Sequence, residues 1–284
     1  MRASLHLFAA FLAISTGALL SAVPASQGAG FSLAQAKPEM RESCPGLVAR
    51  APQRPQSPLF RRTALAADEV QVLYVGHSTF LLESPQGVRI ATDYNDYVKP
   101  SVIPDVITMN HAHSTHYTDF PDPAIRHVLR GWAAAEHPAR HDFQLKDVHI
   151  RNVPTNIRRW ESGGTERHGN SIFIFEIGSL CIAHLGHLHH TLTQQQLDEI
   201  GRVDVVLVPV DGSYTLDLDG MIEVLASLKA PLMIPMHYFS AFTLNRFVDR
   251  IRQTYEVSFS EKPSVVLSNA GLPASPQLLV LPGR

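Results

Sequence analysis

Residues 110–119, NHAHSTHYTD, place three histidines within six positions and follow them with an acid. Neutral imidazole carries a free lone pair, which makes histidine the commonest ligand of zinc and its neighbours. On an extended segment His111 and His113 point to the same side, and His116 can curl back towards them. The spacing therefore half-builds a metal site. A second cluster, AHLGHLHH, holds His184, His187, His189 and His190, and LMIPMHY places His237 behind a further β-rich run. For any one of these residues a polar surface loop is a sufficient account. Three strand-like segments that each end in histidine point jointly to bound metal.

The elements that must position these histidines are legible as short β-rich runs. VQVLYV (70–75), FLLES (80–84) and VRIAT (88–92) open the series, with SPQG as a turn between the last two. DVITM (105–109), VHIRNV (148–153), IFIFEI (172–177) and LCIAHL (180–185) continue it. VDVVLVPV (203–210) is apolar throughout, as expected of a strand covered on both faces. Helices interleave later. Thr193 with Gln196 forms a capping-box pattern ahead of Leu197 and Ile200. GMIEVLASLKA and TLNRFVDRIRQTY come after it, the latter with Leu244, Phe247, Val248 and Ile251 on one stripe. Strands first, then strands and helices mixed, predict an α/β or α+β fold of packed sheets with helices outside.

The motif order resembles the metallo-β-lactamase superfamily, and within it the small branch that includes UlaG-like lactonases. The resemblance spans roughly residues 70 to 240. VGHSTFLLESPQGVRIATD looks like the family's opening hairpins, ending in Asp93; HAHSTH matches its HxHxDH motif; ERHGNSIFIF, IAHLGHLHH and IPMHY come next in order. The resemblance implies a four-layer αββα sandwich in one domain, residues 67–284. It also implies a metal-dependent hydrolase in which metal-bound hydroxide attacks an ester, lactone or phosphodiester. His111, His113 and His168 would hold a first metal, and His116, His187, His237 and His190 a second. Asp93 would orient a ligand, with Asp93, His116 and His187 as the catalytic set. His77, Asp211 and Tyr214 are candidate contacts to a small-molecule substrate, and Asp211 before Gly212 reads equally as a turn former.

Two departures stand out. Thr115 and His187 occupy the places of two family carboxylates, so the cation is less neutralised and its water more acidic. Zinc, one ion or two, is the expected metal, with manganese or iron as alternatives. The competing readings are a non-hydrolytic, histidine-rich iron or copper protein, for redox chemistry or metal handling, and a degenerate binding module.

Composition bounds the rest. The chain has 284 residues, 45% hydrophobic and 18% charged, with a formal net charge of −2. No basic surplus invites nucleic acid, and no acidic tract suggests a disordered tail. Arg2, the apolar run Leu5–Val23 and the small residues of VPASQGAG read as a signal peptide, residues 1–25, cleaved after Ala25 or Ala29. Export to the periplasm or medium is the consequence, with no membrane span after cleavage; an uncleaved anchor is the alternative. Residues 26–66 read as a leader or wrapping arm. Of the two cysteines, Cys181 lies in an apolar run and reads as a buried inert thiol, and Cys44 as a second free thiol, with a bridge between them left open.

Overall fold

The computed structural model describes residues 64–134, 137–159 and 163–283. The expected signal peptide, the arm up to residue 63 and Cys44 lie outside the described residues.

Two sheets carry the fold. In the first, β1 (Glu69–Gly76), β2 (Thr79–Glu83) and β3 (Arg89–Ala91) form an antiparallel meander. Strands β4 (Val106–Met109) and β5 (His127–Arg130) extend it in parallel. Late in the chain β13 (Ser264–Ser268) closes the other edge beside β1. The second sheet begins with the antiparallel strands β6 (Asp142–Leu145), β7 (Val148–Arg158), β8 (Thr165–Ile177) and β9 (Leu180–His184). It continues in parallel through β10 (Val205–Pro209), β11 (Leu232–Met236), β14 (Gln277–Val280) and β12 (Glu256–Phe259).

Alternation decides which face meets which. Val70, Val72 and Tyr74 of β1 share one core cluster with Phe80, Leu82, Phe173, Phe175, Ile182, Val205 and Leu207. That cluster is the seam between the sheets. The opposite face of the second sheet, including Ile174, Ala183, Val206, Val208 and Met233, packs against helices α1 (Gln194–Ile200), α2 (Leu218–Leu228) and α3 (Ala241–Ile251). Every residue of β10 is buried, as its continuous apolar run predicts. At about 1.5–3 kcal/mol for each fully buried aliphatic side chain, these two seams dominate the driving force. On the outer face of the first sheet, Val75, Leu81, Ile107 and Met109 are covered by Tyr94, Val98, Val102, Tyr117, Ile125 and Trp132. The mixed α/β architecture with packed sheets is the one expected of a metallo-β-lactamase sandwich.

The helices start where local chemistry starts them. Thr193 Oγ1 accepts from Gln196 N, and Gln196 Oε1 accepts from Thr193 N, completing the capping box. Asp217 and Ser240 cap α2 and α3 through Gly220 N and Thr243 N. Leu244, Phe247, Val248 and Ile251 form the buried stripe of α3.

Two expectations are corrected here. Cys181 is fully buried but is disulfide-bonded, not a free thiol. His149, read from sequence as a surface residue, lies buried within a charged network. Its Nε2 meets Asp142 Oδ1 at 2.5 Å and its Nδ1 meets Glu176 Oε2 at 3.0 Å. Glu176 also accepts from Arg151, whose guanidinium reaches the carbonyls of Glu199 and Ile200 at the end of α1. A charge buried at Glu176 needs these partners, and they tie α1 to the sheet.

Candidate metal centre

Strand ends build the site. His77 follows β1 by one residue, Asp93 follows β3 by two, and His111 follows β4 by two. On the second sheet His187 follows β9 by three residues, Asp211 follows β10 by two, and His237 follows β11 by one. Parallel strands share a direction, so their carboxyl ends open onto one crevice. The turns there are tight: His77, Asp93 and His237 take φ of 50°, 42° and 56°. Such left-handed non-glycine conformations are uncommon and collect at functional sites.

At the centre His116 is fully buried. Its Nδ1 donates to Asp93 Oδ2 at 2.5 Å, and Asp93 Oδ1 accepts from Asn110 N at 2.9 Å. His237 Nδ1 donates to Asp211 Oδ1 at 3.0 Å. With Nδ1 of each ring bonded to a carboxylate, each turns its Nε2 inward. Those two Nε2 atoms lie 3.2 Å apart, and His187 Nδ1 lies 3.2 Å from His116 Nε2. Facing lone pairs repel unless a cation sits among them. In a tetrahedral zinc site with bonds of about 2.0–2.1 Å, neighbouring ligand nitrogens stand about 3.3 Å apart. The donor set fits a divalent metal.

Around this centre the other histidines gather by ring contact. His187 lies 5.4 Å from His111, 5.9 Å from His113, 4.7 Å from His116 and 5.1 Å from His237, centroid to centroid. His111 Nδ1 donates to Gly169 O at 2.6 Å, which leaves its Nε2 free. The exposed His113 is hydrogen-bonded to Thr115 Oγ1 at 3.1 Å. The expected ligands His111, His113, His116, His187 and His237 thus come together.

Electrostatics favours the uncharged form of four of the ligands. Burial first, then the neighbouring histidines, holds His116 and His187 well below the ordinary imidazole range. Burial likewise lowers His111 and His113. Burial raises the Asp93 carboxyl to about 6, against the pull of His184 and the Asn110 amide. Burial also pushes Asp211 up, but its bonds from His237, Thr215 and Ser213 outweigh that and hold it far below the usual range. Those four rings are therefore ready to bind metal, and both carboxylates can remain ionised as proton acceptors at neutral pH.

Other expected residues fall elsewhere. His190 accepts from Asn156 N at Nε2 and donates to Thr191 O from Nδ1, so both ring nitrogens are spent and it offers no ligand atom. His168 sits on β8, its amide donating to Asn156 Oδ1. Among the described residues no ring contact joins it to the histidine group. Its segment contributes instead through Gly169 O to His111 and Asn170 Oδ1 to the His187 amide. Asp211 does not face a substrate: both carboxyl oxygens accept from the turn Ser213–Thr215 or from His237. Tyr214 is exposed, with its ring 5.4 Å from Phe239, which in turn lies 5.5 Å from His237. Sequence reasoning named Tyr214 but missed Phe239 beside it and the asparagine scaffold of Asn110 and Asn170. It also missed that His184 is structural: Nε2 donates to Ser78 O and Nδ1 accepts from Asn110 and Gly186.

Comparison with known proteins bears on the family and the fold. Residues 71–237 match the family profile described as beta-lactamase superfamily domain. The chain is 26% identical over 196 residues to a UPF0173 metal-dependent hydrolase from Thermoplasma volcanium, covering 60% of this chain and 84% of that one. A protein of the same description from Archaeoglobus fulgidus is 27% identical over 192 residues, covering 60% and 83%. Among solved structures, a candidate Zn-dependent hydrolase of the metallo-beta-lactamase superfamily from Thermotoga maritima superposes with a TM-score of 0.55 at 28% identity, covering 76% of this chain and all of that one.

Proposed function

Because this chain belongs to the beta-lactamase superfamily, whose profile it matches over residues 71–237, we propose that it is a metal-dependent hydrolase of a small-molecule ester, lactone or phosphodiester. The observation that carries the reading is the pair of facing Nε2 atoms of His116 and His237, each ring oriented by a buried carboxylate. Carboxylate–histidine pairs of this kind fix the tautomer of a metal ligand and raise its basicity.

His116, His187 and His237, with His111 and His113 beside them, would hold the metal, zinc by preference. Bound there, a divalent ion supplies Lewis acidity and lowers the pKa of water to near ~7. The protein does the rest. Asp93 and Asp211, bonded to Nδ1 of His116 and His237, orient the two rings with their Nε2 atoms inward. His113 is exposed while His116 beside it is buried, so solvent and substrate would reach the metal from the His113 side. Tyr214 and Phe239 offer an apolar rim to the non-reacting part of a substrate.

The test is metal analysis of protein purified without added metal, joined to turnover of ester, lactone and phosphodiester panels. Zinc together with chelator-sensitive turnover of one class is expected. Redox-active iron or copper without hydrolysis would overturn the reading in favour of metal handling, and no metal would leave only a binding module.

Export is part of the proposal. Its support is the Arg2-led apolar run with small residues behind it. A mature chain beginning near residue 26 to 30, read by intact-mass spectrometry, is the expected result; Met1 intact in the exported protein would overturn it.

A further inference from the structure

His77 stands one residue past β1 and contacts three aromatic rings of the site region. Its ring centroid lies 4.2 Å from that of His237, 5.7 Å from His116 and 5.6 Å from Phe239. Its Nε2 is buried and has no hydrogen-bond partner. A buried imidazole nitrogen left without a partner is costly and rare, and it marks a missing ligand or ion. One ring nitrogen from each of His77, His116 and His237 falls within 4.8 Å of the other two.

The placement is rigid. The His77 carbonyl accepts from His237 N at 2.7 Å and from Tyr74 Oη at 2.9 Å, which ties the ends of β1 and β11 together. Its left-handed backbone, φ 50°, aims the ring inward. Thr115, next to His116 in the chain, offers only a hydroxyl already bonded to His113, and its carbonyl accepts from Asn95. The two nearby carboxylates are taken by the ligands' other nitrogens, Asp93 by His116 Nδ1 and Asp211 by His237 Nδ1.

We propose that His77 is itself a metal ligand, closing with His116 and His237 an all-imidazole site for a divalent transition metal. The inference rests on the metal-dependent reading above and adds to it a ligand from the opening hairpin. Imidazole donors bring no charge of their own, so the ion's charge would be offset only from beyond the ligands, by Asp93 and Asp211. Such a site favours zinc, and copper or nickel above zinc's weaker-binding neighbours, over calcium or magnesium, which need oxygen ligands.

The experiment uses the full chain stripped by chelator and titrated with Zn²⁺ and, separately, Co²⁺. His77→Asn is the variant, since asparagine tolerates the left-handed backbone that alanine would strain. His190→Gln is the control. Wild-type protein and the control should bind alike. His77→Asn should bind at least 10-fold more weakly and show an altered visible Co²⁺ spectrum, with the thermal midpoint of its metal-free form matching that of metal-free wild type. Wild-type affinity and spectrum in His77→Asn would overturn the ligand role while leaving the metal site standing. Failure of wild type itself to take up either ion would overturn the metal-dependent reading, and this inference with it. Should His77→Asn fold poorly, His77→Gln read by the same spectrum serves in its place.

Discussion

His116 and His237 stand 121 positions apart in the chain, yet their Nε2 atoms face one another at 3.2 Å. The symmetry is chemical as well as spatial. Each ring is hydrogen-bonded through Nδ1 to a buried carboxylate, Asp93 for one and Asp211 for the other. One partner comes from the first sheet's crevice loops and one from the second sheet. The site therefore exists only when the two sheets are packed together.

Removing one carboxylate should loosen metal without removing a ligand. In Asp93→Asn the group facing His116 Nδ1 is a weaker acceptor, or after a flip a donor, so the ring loses its fixed tautomer. Metal affinity should fall about 10–100-fold, the range for such outer partners. Competition against a chromophoric chelator reads it, with His127→Ala as an unaffected comparison. An unchanged affinity would mean that Asp93 serves the fold alone.

Ligands and bystanders separate by metal content. His116→Ala, His187→Ala and His237→Ala should lose metal and the chelator-sensitive part of their stability, because metal bound only by the native state stabilises it by mass action. His190→Gln and His168→Asn should retain wild-type content. Metal loss in either of the last two would restore the ligand roles that the sequence suggested for them.

Thr115→Asp adds an anionic donor beside His116. It should raise metal occupancy at limiting metal, since a negative ligand offsets charge that imidazoles leave uncompensated. Equal metal-to-protein ratios in variant and wild type would show that residue 115 does not face the ion.

Gly186 tests the scaffold. Its φ is +60°, and an added Cβ would lie 2.4 Å from Asn110 Nδ2 and 2.6 Å from Asn170 Oδ1. Gly186→Ala should cost at least the ~1–3 kcal/mol of a strained backbone position. It should also displace the His187 loop, so thermal midpoint and metal content should fall together. A midpoint within experimental error of wild type would contradict the packing described.

The pH dependence of stability should carry a contribution from His149. Burial lowers its pKa, but the hydrogen bonds and charges of Asp142 and Glu176 outweigh burial and raise it above the ordinary imidazole value of 6.5. A raised folded pKa means stability that is fully present below about pH 6.5 and lost as pH rises through the folded value. The melting-point gap between wild type and His149→Gln should therefore be widest near pH 5.5 and narrow towards pH 9. A gap that widens with pH would reverse the assignment.

Much of this was legible in the chain. The histidines of HAHSTH and IPMHY, the apolar run of β10, the capping box at Thr193 and the stripe of α3 are local patterns. Each depends on residues a few positions apart, and each appears in the structure where its chemistry placed it. The weaker elements were not legible. Strands β5, β6, β12, β13 and β14 are four or five residues long, and several are half-exposed, so they carry little alternation of their own. The strand β13 forms because β1, nearly 200 positions earlier, offers an open edge.

The same division runs through the site. Residue type and spacing by themselves determined that imidazoles would cluster after strand ends, because periodicity along one strand fixes where it stops and which residues enter the loop beyond it. Only the tertiary structure decided which imidazoles keep a free lone pair. His190 and His184 spend both ring nitrogens on backbone and scaffold groups, whereas His116 and His237 spend one on a carboxylate and turn the other inward. That choice is made by hydrogen-bond partners drawn from both sheets. A ligand is defined by the nitrogen its neighbours leave unpaired, and those neighbours are assembled by packing.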